Sequence, residues 1–171
     1  MIALQIPPYS ASYWAHPGPR WLIVVRHARA EQSAATDLER RLLPRGAADA
    51  MDAGRWLSGE GVVPDAALVS AAMRAQETWA SLAIGLGTDV EPQVERGLYT
   101  ADPDTALDLV RLTDDRSHTL AVVGHNPTVA SLASLLGVPC KCLELDVLAI
   151  LDAEGAAEPV YAAPPVFGSG L

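Results

Sequence analysis

The sequence predicts an α/β fold, a three-layer sandwich in which helices flank a mostly parallel central sheet. Apolar, β-branched runs of strand length recur along the chain, and a segment with helical spacing of apolar residues follows each of them. The resulting order of strand, helix, strand, helix is typical of a parallel sheet covered by helices. Half of the 171 residues are hydrophobic, which is enough to bury one sizeable core.

The strand candidates are continuous apolar runs, as expected of strands buried on both faces of a parallel sheet. Three of them lie at residues 21–25, 66–70 and 119–123, and a further candidate lies at 143–151. Helical spacing predicts helices over 46–57, from about residue 74 to Gly85 or Gly87, over 104–112, and over 129–136.

These elements predict one domain over residues 21–163. Residues 1–20 are rich in Pro, Tyr and Trp and show no periodicity, so they predict an irregular N-terminal arm. Residues 164–171 predict a short C-terminal tail.

The charge balance narrows the classes of partner. Acidic residues outnumber basic ones 21 to 12, a net charge of -9, which disfavours nucleic acid and anionic membranes as partners. The sequence contains no apolar run of about 18 residues or more, and no charged segment followed by an apolar one marks a secretory signal. We therefore expect a cytoplasmic protein without a membrane partner.

Polar residues stand at the carboxyl ends of the three best strand candidates. Arg26 and His27 follow the first strand, Arg74 comes shortly after the second, and His125 follows the third. Ligand sites of parallel sheets lie beyond these ends, so two histidines and two arginines are expected to converge. A neutral imidazole can attack phosphorus without a separate base, and arginine binds phosphate oxygens bidentately. The set therefore indicates phosphoryl transfer that needs no metal or other cofactor.

The same residues lie in motifs that resemble those of a known family. These motifs are Val25-Arg26-His27-Ala28-Arg29-Ala30-Glu31, Asp37-x-x-Arg40-x-Leu42-x-x-Arg45-Gly46, Asp65-x-x-Leu68-Val69-Ser70-x-x-x-Arg74-Ala75-x-x-Thr78, Glu95-Arg96-Gly97-Leu98-Tyr99 and Val123-Gly124-His125-Asn126-Pro127. Through them, over about residues 21–137, the chain resembles the histidine phosphatase, or phosphoglycerate mutase-like, superfamily, and within it the SixA-type phosphohistidine phosphatases.

The resemblance implies a role for each matched residue. His27 would become the phosphohistidine, Arg26 and Arg74 would clamp the phosphoryl oxygens, and His125 would donate a hydrogen bond to the same group. Members of the family that act on alkyl phosphates protonate the leaving oxygen with a carboxylic acid, for which Glu95 is the best candidate. Glu95 is equally well interpreted as a solvent-facing loop carboxylate.

Two further arginines have two interpretations each. Arg29 and Arg40 resemble positions near the mouth of the pocket, where they would bind substrate. In so acidic a chain they are also expected to pair with nearby acids such as Asp37. Ser70 is predicted to be a hydrogen-bonding residue at a strand end, and His118 an exposed residue with no part in the reaction.

Three functional hypotheses follow from these residues. The leading one is a metal-independent phosphatase that works through a phosphohistidine on His27 and acts on a phosphohistidine protein or a small phosphorylated molecule. The second is a broad-specificity phosphomonoesterase for sugar phosphates or nucleotides. The third is a catalytically inactive module that binds phosphate or another protein. The sequence predicts no oligomeric state.

Overall fold

The structure, a computed structural model, describes residues 2–5, 21–114, 116–135, 148–152 and 154–157. Its strands within these ranges are β1 (Ile2–Gln5), β2 (Trp21–Arg26), β3 (Ala66–Ser70), β4 (Gln93–Glu95), β5 (Thr119–Gly124), β6 (Leu148–Asp152) and β7 (Glu154–Ala157). Its helices are α1 (Pro44–Gly59), α2 (Met73–Leu86), α3 (Gly97–Thr100), α4 (Pro103–Arg111) and α5 (Thr128–Leu135), with a 3-10 turn at Asp37–Glu39.

The strands form one mixed sheet in the order β4-β3-β5-β2-β6-β1-β7. The first four strands of this order are mutually parallel, whereas β6 runs antiparallel to β2. β1 is parallel to β6, and β7 closes the sheet antiparallel to β1. The carboxyl ends of β2, β3, β4 and β5 therefore meet at one edge of the sheet.

Side chains that alternate along β2 face two separate cores. Ile23 and Val25 pack with α1 and α2 on one face of the sheet. Val24 packs on the other face with α4 and α5, and both cores contain buried residues from β3 and β5 as well. Strands that are covered on both faces read as continuous apolar runs, which is why β2, β3 and β5 could be predicted. The predicted three-layer sandwich is confirmed.

Several elements differ from those predicted. Residues 2–5 are the strand β1, so the prediction of an irregular arm over 1–20 is wrong for these four residues. Their pairing with β6, far along the chain, has no local signature in the sequence. Residues 6–20, the predicted strand segment 143–147 and the tail at 164–171 lie outside the described residues. Among the described helices, none is long and apolar enough to cross a membrane.

Helices α1 and α2 approach each other closely through two glycines. A β-carbon at Gly54 would overlap the Leu82 carbonyl oxygen, and one at Gly85 would overlap the carbonyl oxygen of Met51. The helix α2 then ends at Gly87, which adopts the left-handed conformation with φ 71°. The glycines therefore allow α2, which carries Arg74, to lie directly against α1.

Replacing Gly85 with alanine is expected to lower the free energy of unfolding by about 1–3 kcal/mol, because the added methyl group meets main chain across the crossing. In an open helix the same change is favourable by about 1 kcal/mol. Urea denaturation followed by circular dichroism measures the difference. Gly59→Ala is the matched control, since a β-carbon there meets nothing within 4 Å. Equal destabilisation of both variants would contradict the close approach.

Candidate active site

The predicted residues at three strand ends come together at one edge of the sheet. His27 directly follows β2, and its backbone N–H donates to the Gly124 carbonyl oxygen at 2.9 Å. The ring centroids of His27 and His125 lie 5.1 Å apart. Arg74, in the first turn of α2, places its Nε 3.3 Å from Nε2 of His27. The main-chain geometry of parallel strands thus assembles the site.

The two ring nitrogens of His27 have different environments. Nδ1 lies 2.8 Å from the Ala28 carbonyl oxygen. A carbonyl can only accept, so Nδ1 carries the proton and Nε2 of a neutral ring carries the lone pair. The Ala28 N–H in turn donates to Thr78 Oγ1 at 3.0 Å, and the Thr78 hydroxyl donates to the Arg74 carbonyl at 2.6 Å. Thr78 therefore ties the backbone beside His27 to helix α2.

Burial and positive charge keep His27 neutral. Burial is the main cause that lowers its pKa to about 4, and the charges of Arg74, Arg26 and Arg40 lower it further. The hydrogen bond to Ala28 acts in the opposite direction. A neutral imidazole with its lone pair on Nε2 is a nucleophile near neutral pH.

His125 is buried and is oriented by a serine. Its Nε2 lies 2.7 Å from Ser70 Oγ, and the same oxygen accepts from the Ala72 N–H at 3.4 Å. In the tautomer in which the Ser70 hydroxyl donates to Nε2, the imidazole proton of His125 lies on Nδ1. Nδ1 is buried and has no hydrogen-bond partner among the described residues, so in this tautomer its N–H is available to a bound group. Ser70 is a strand-end hydrogen-bonding residue, as expected.

Both histidines are expected to titrate far below the ordinary range. Burial is again the main cause that lowers the pKa of His125, to about 3, followed by the charge of His27. NMR of the ring nitrogens should show pKa values of about 4 for His27 and about 3 for His125. In urea both should move to about 6.5.

The shift also sets how stability depends on pH. The folded pKa values lie below the unfolded ones, so the unfolded chain binds more protons between pH 6.5 and about 4. Stability is therefore expected to fall as the pH is lowered through that window. A His27 titration near pH 6.5 in the folded protein would contradict the described burial.

An acidic residue and a tyrosine complete the cluster, and sequence reasoning gave neither of them a role there. Asp37 accepts hydrogen bonds from Arg74, Arg40 and Tyr99. The Tyr99 ring also meets the His125 ring edge-on, with centroids 5.7 Å apart. Both residues stand in the quoted motifs, and that position was the signal that could have identified them.

The chain is similar to a family of known proteins and to several solved structures. The family model for the histidine phosphatase superfamily, branch 1, matches residues 22–101. A candidate SixA phosphohistidine phosphatase from Nakamurella multipartitia is 28% identical and superposes with a TM-score of 0.70, covering 83% of this chain and 94% of that one. A protein histidine phosphatase SixA in complex with tungstate is 26% identical with a TM-score of 0.66, covering 76% and 86%.

The chain belongs to the histidine phosphatase superfamily. The SixA structures to which it is similar agree with the subgroup that its motifs indicate. It is therefore a hydrolase of the phosphatase class. An uncharacterised protein of Mycobacterium tuberculosis is 38% identical over 113 residues, which are 66% of this chain and 69% of the relative. The predicted superfamily and its SixA-type subgroup are confirmed.

In this histidine phosphatase two further predicted site residues, Arg26 and Arg40, lie close enough to His27 to affect its pKa. Arg26 ends β2 directly before His27, and its charge reaches that ring. Arg40 donates to the Glu31 carbonyl oxygen at 2.6 Å and to Asp37 at 2.8 Å. Its predicted pairing with Asp37 is confirmed, and its charge also lies close enough to lower the pKa of His27.

Two predicted residues form no hydrogen bond or ion pair with His27 in the described part of the chain. Arg29 is partly exposed, and its Nε lies 3.9 Å from a carboxylate oxygen of Asp49 on α1. The Glu95 carboxylate accepts a hydrogen bond from the Gln93 side chain at 2.5 Å. Substrate binding by Arg29 and acid catalysis by Glu95 stay predictions.

Metal binding has no candidate in the described part of the chain. No group of three or more His, Cys, Asp or Glu side chains in these ranges is arranged to hold a metal ion.

Proposed function

We propose that this histidine phosphatase transfers a phosphoryl group from a phosphorylated substrate to Nε2 of His27 and then to water, without a metal. We further propose a phosphohistidine protein as its preferred substrate class. The observation that carries the proposal is the orientation of His27, whose Nδ1 donates to Ala28 while Nε2 faces Arg74. In-line attack on a phosphoryl group requires a nitrogen lone pair beside a positive charge. The Nε2 lone pair of His27 meets this requirement, and in the structure it accepts a hydrogen bond from Arg74 Nε at 3.3 Å.

The first chemical step forms one bond and breaks another. The Nε2 lone pair of His27 attacks phosphorus, and the departing nitrogen or oxygen takes the electron pair of its bond to phosphorus. Negative charge then spreads over the three equatorial oxygens. Arg74 and Arg26 neutralise that charge, and the Nδ1–H of His125 donates to it. Preformed donors of this kind stabilise the transition state more than the ground state.

The second step reverses the roles of the two groups. Water attacks the phosphorus of phospho-His27, the P–N bond breaks, and its electron pair returns to Nε2. Inorganic phosphate leaves, and the water gives up one proton to solvent. The tungstate complex of the 26% identical SixA supports an oxyanion site of this kind, since tungstate is tetrahedral like phosphate.

The acids of the site favour a phosphohistidine over an alkyl phosphate. An alkoxide is a poor leaving group without a proton from a nearby acid. The pKa of Asp37 is held well below its usual range, mainly by the hydrogen bond from Arg40, so its carboxyl group has no proton to give. The carboxylate of Glu95 is bound to Gln93. An imidazole leaves more easily, because solvent can protonate its distal nitrogen beforehand.

Rates on a phosphohistidine peptide and on an alkyl phosphate, measured side by side with a chelator present, test this proposal. We expect the peptide to be hydrolysed with a kcat/KM at least about 100-fold higher, because no acid assists the alkoxide. Quenching in alkali, in which the P–N bond is stable, should trap phosphate on His27. Activity that chelator abolishes would contradict the metal-free scheme.

Glu95→Gln separates the two substrate classes. We expect this variant to retain the wild-type rate on the phosphohistidine peptide, since the Glu95 carboxylate bonds to Gln93 and forms no described hydrogen bond with His27. Equal wild-type rates on both substrates, together with a loss of about 100-fold or more on the alkyl phosphate in the variant, would instead identify Glu95 as a general acid and favour a phosphomonoesterase.

A further inference from the structure

Asp37 gathers three donors of the site on one side chain. Its Oδ2 accepts from Arg74 Nη2 at 2.9 Å and from the Tyr99 hydroxyl at 2.8 Å. Its Oδ1 accepts from Arg40 Nη1 at 2.8 Å. Its backbone carbonyl accepts from Arg74 Nη1 at 2.6 Å. The residue therefore holds Arg74 at two points, with a main-chain oxygen and with a carboxylate.

These contacts divide the Arg74 guanidinium between two partners. Four of the five N–H donors of a guanidinium lie along two edges, one formed by Nη1 and Nη2 and the other by Nε and Nη2. Asp37 occupies the first edge completely. The second edge is turned to Nε2 of His27, which lies 3.3 Å from Arg74 Nε. Phosphoryl oxygens on phosphorus attached to His27 would meet that second edge.

The Asp37 carboxylate is itself held in place. Arg40 binds Oδ1, and Tyr99 shares Oδ2 with Arg74, so three donors fix its orientation although its side chain is 47% exposed. Tyr99 also contacts the His125 ring. Asp37 thus links the guanidinium to the remaining side chains of the site.

We propose that Asp37 is a positioning residue, which fixes the Arg74 guanidinium so that its Nε and Nη2 edge faces the phosphoryl group on His27. The proposal rests on the function proposed above. Misplacement of a catalytic group by about 1 Å can lower a rate about 100-fold. Asp37 acts through Arg74, and its effect is therefore expected in the transition state more than in substrate binding.

The test compares Asp37→Ala and Asp37→Asn with the wild-type chain. With an aryl phosphate we expect Asp37→Ala to lower kcat by about 10- to 100-fold and to change KM by less than about 3-fold. Asp37→Asn should recover part of the rate, because its amide oxygen can still accept from Arg74. Asp52→Ala is the matched control, since Asp52 forms an exposed ion pair with Arg55 on α1.

Calorimetry with two oxyanions provides a measurement that does not depend on turnover. Vanadate mimics five-coordinate phosphorus, whereas inorganic phosphate mimics the product. We expect Asp37→Ala to weaken vanadate binding at least about 10-fold more than phosphate binding, because transition-state contacts are lost selectively. Equal losses for both ions, or no loss for either, would overturn the positioning role.

Two other outcomes distinguish this proposal from the proposed function. Tighter phosphate binding with an undiminished kcat in Asp37→Ala would show that Asp37 competes with the phosphoryl group, and would overturn only the positioning role. A wild-type chain without phosphatase activity would contradict the proposed function, and vanadate binding would still test whether Asp37 orients Arg74.

Discussion

Replacing His27 with alanine is expected to lower kcat by about 10⁴-fold or more on both phosphohistidine and aryl phosphate substrates. The substitution removes the nitrogen that attacks phosphorus, and no other described side chain presents the same lone pair to Arg74. Alkali-quenched samples of the variant should also lack the protein-bound phosphate that wild type retains. Steady-state kinetics and intact-protein mass spectrometry measure the two effects.

The control for this variant is His118→Ala. His118 is exposed, as the sequence predicts. It lies directly before the first residue of β5, at the opposite end of that strand from His125. We expect this variant to retain wild-type kinetics. Turnover of His27→Ala within about 10-fold of wild type would remove His27 from the attacking role.

Replacing Arg74 with lysine is expected to lower kcat/KM by about 10²- to 10³-fold. The charge is kept, but the fork that reaches His27 with Nε and Asp37 with both Nη atoms is lost. An ammonium group is a point charge and cannot serve two edges at once. Kinetics with an aryl phosphate and thermal melting together measure the effect and check that the fold is kept.

Arg55→Lys is the matched control for this substitution. Arg55 lies on α1 in an exposed ion pair with Asp52, and its side chain makes no described contact with the site. We expect wild-type kinetics from it. If Arg74→Lys were equally active, positive charge alone would explain the role of Arg74, and the geometry of the fork would have no importance.

The buried parts of the fold could be predicted because their local pattern is strong. The predicted strand 66–70 is identical to β3, and the predicted helix 104–112 lies within one residue of α4 at each end. Strands covered on both faces need apolar residues at every position, so the signal is continuous. β4 lies at the edge of the sheet and has only three residues, two of them largely exposed, so its pattern is weak.

Only the part of the site that lies beside the strand ends could be predicted from the sequence. His27, Arg74 and His125 lie beside the ends of adjacent parallel strands, and the alternation of elements brings such ends together. Asp37 lies in the 3-10 turn and Tyr99 in the short helix α3, 62 residues further along the chain, and a hydrogen bond joins their side chains. Loop conformation has no periodic signal, so neither partner could be assigned to the other in advance.

The hydrogen bond between His27 and the Ala28 carbonyl oxygen has a regiochemical consequence. With Nδ1 held by the Ala28 carbonyl, any phosphoryl group that His27 accepts must be attached at the nitrogen far from the main chain. The phosphoenzyme would be a single regioisomer, the tele form. The acceptor that enforces this outcome is a peptide oxygen. The backbone conformation after β2 therefore determines the isomer, and the identity of the side chain at position 28 does not.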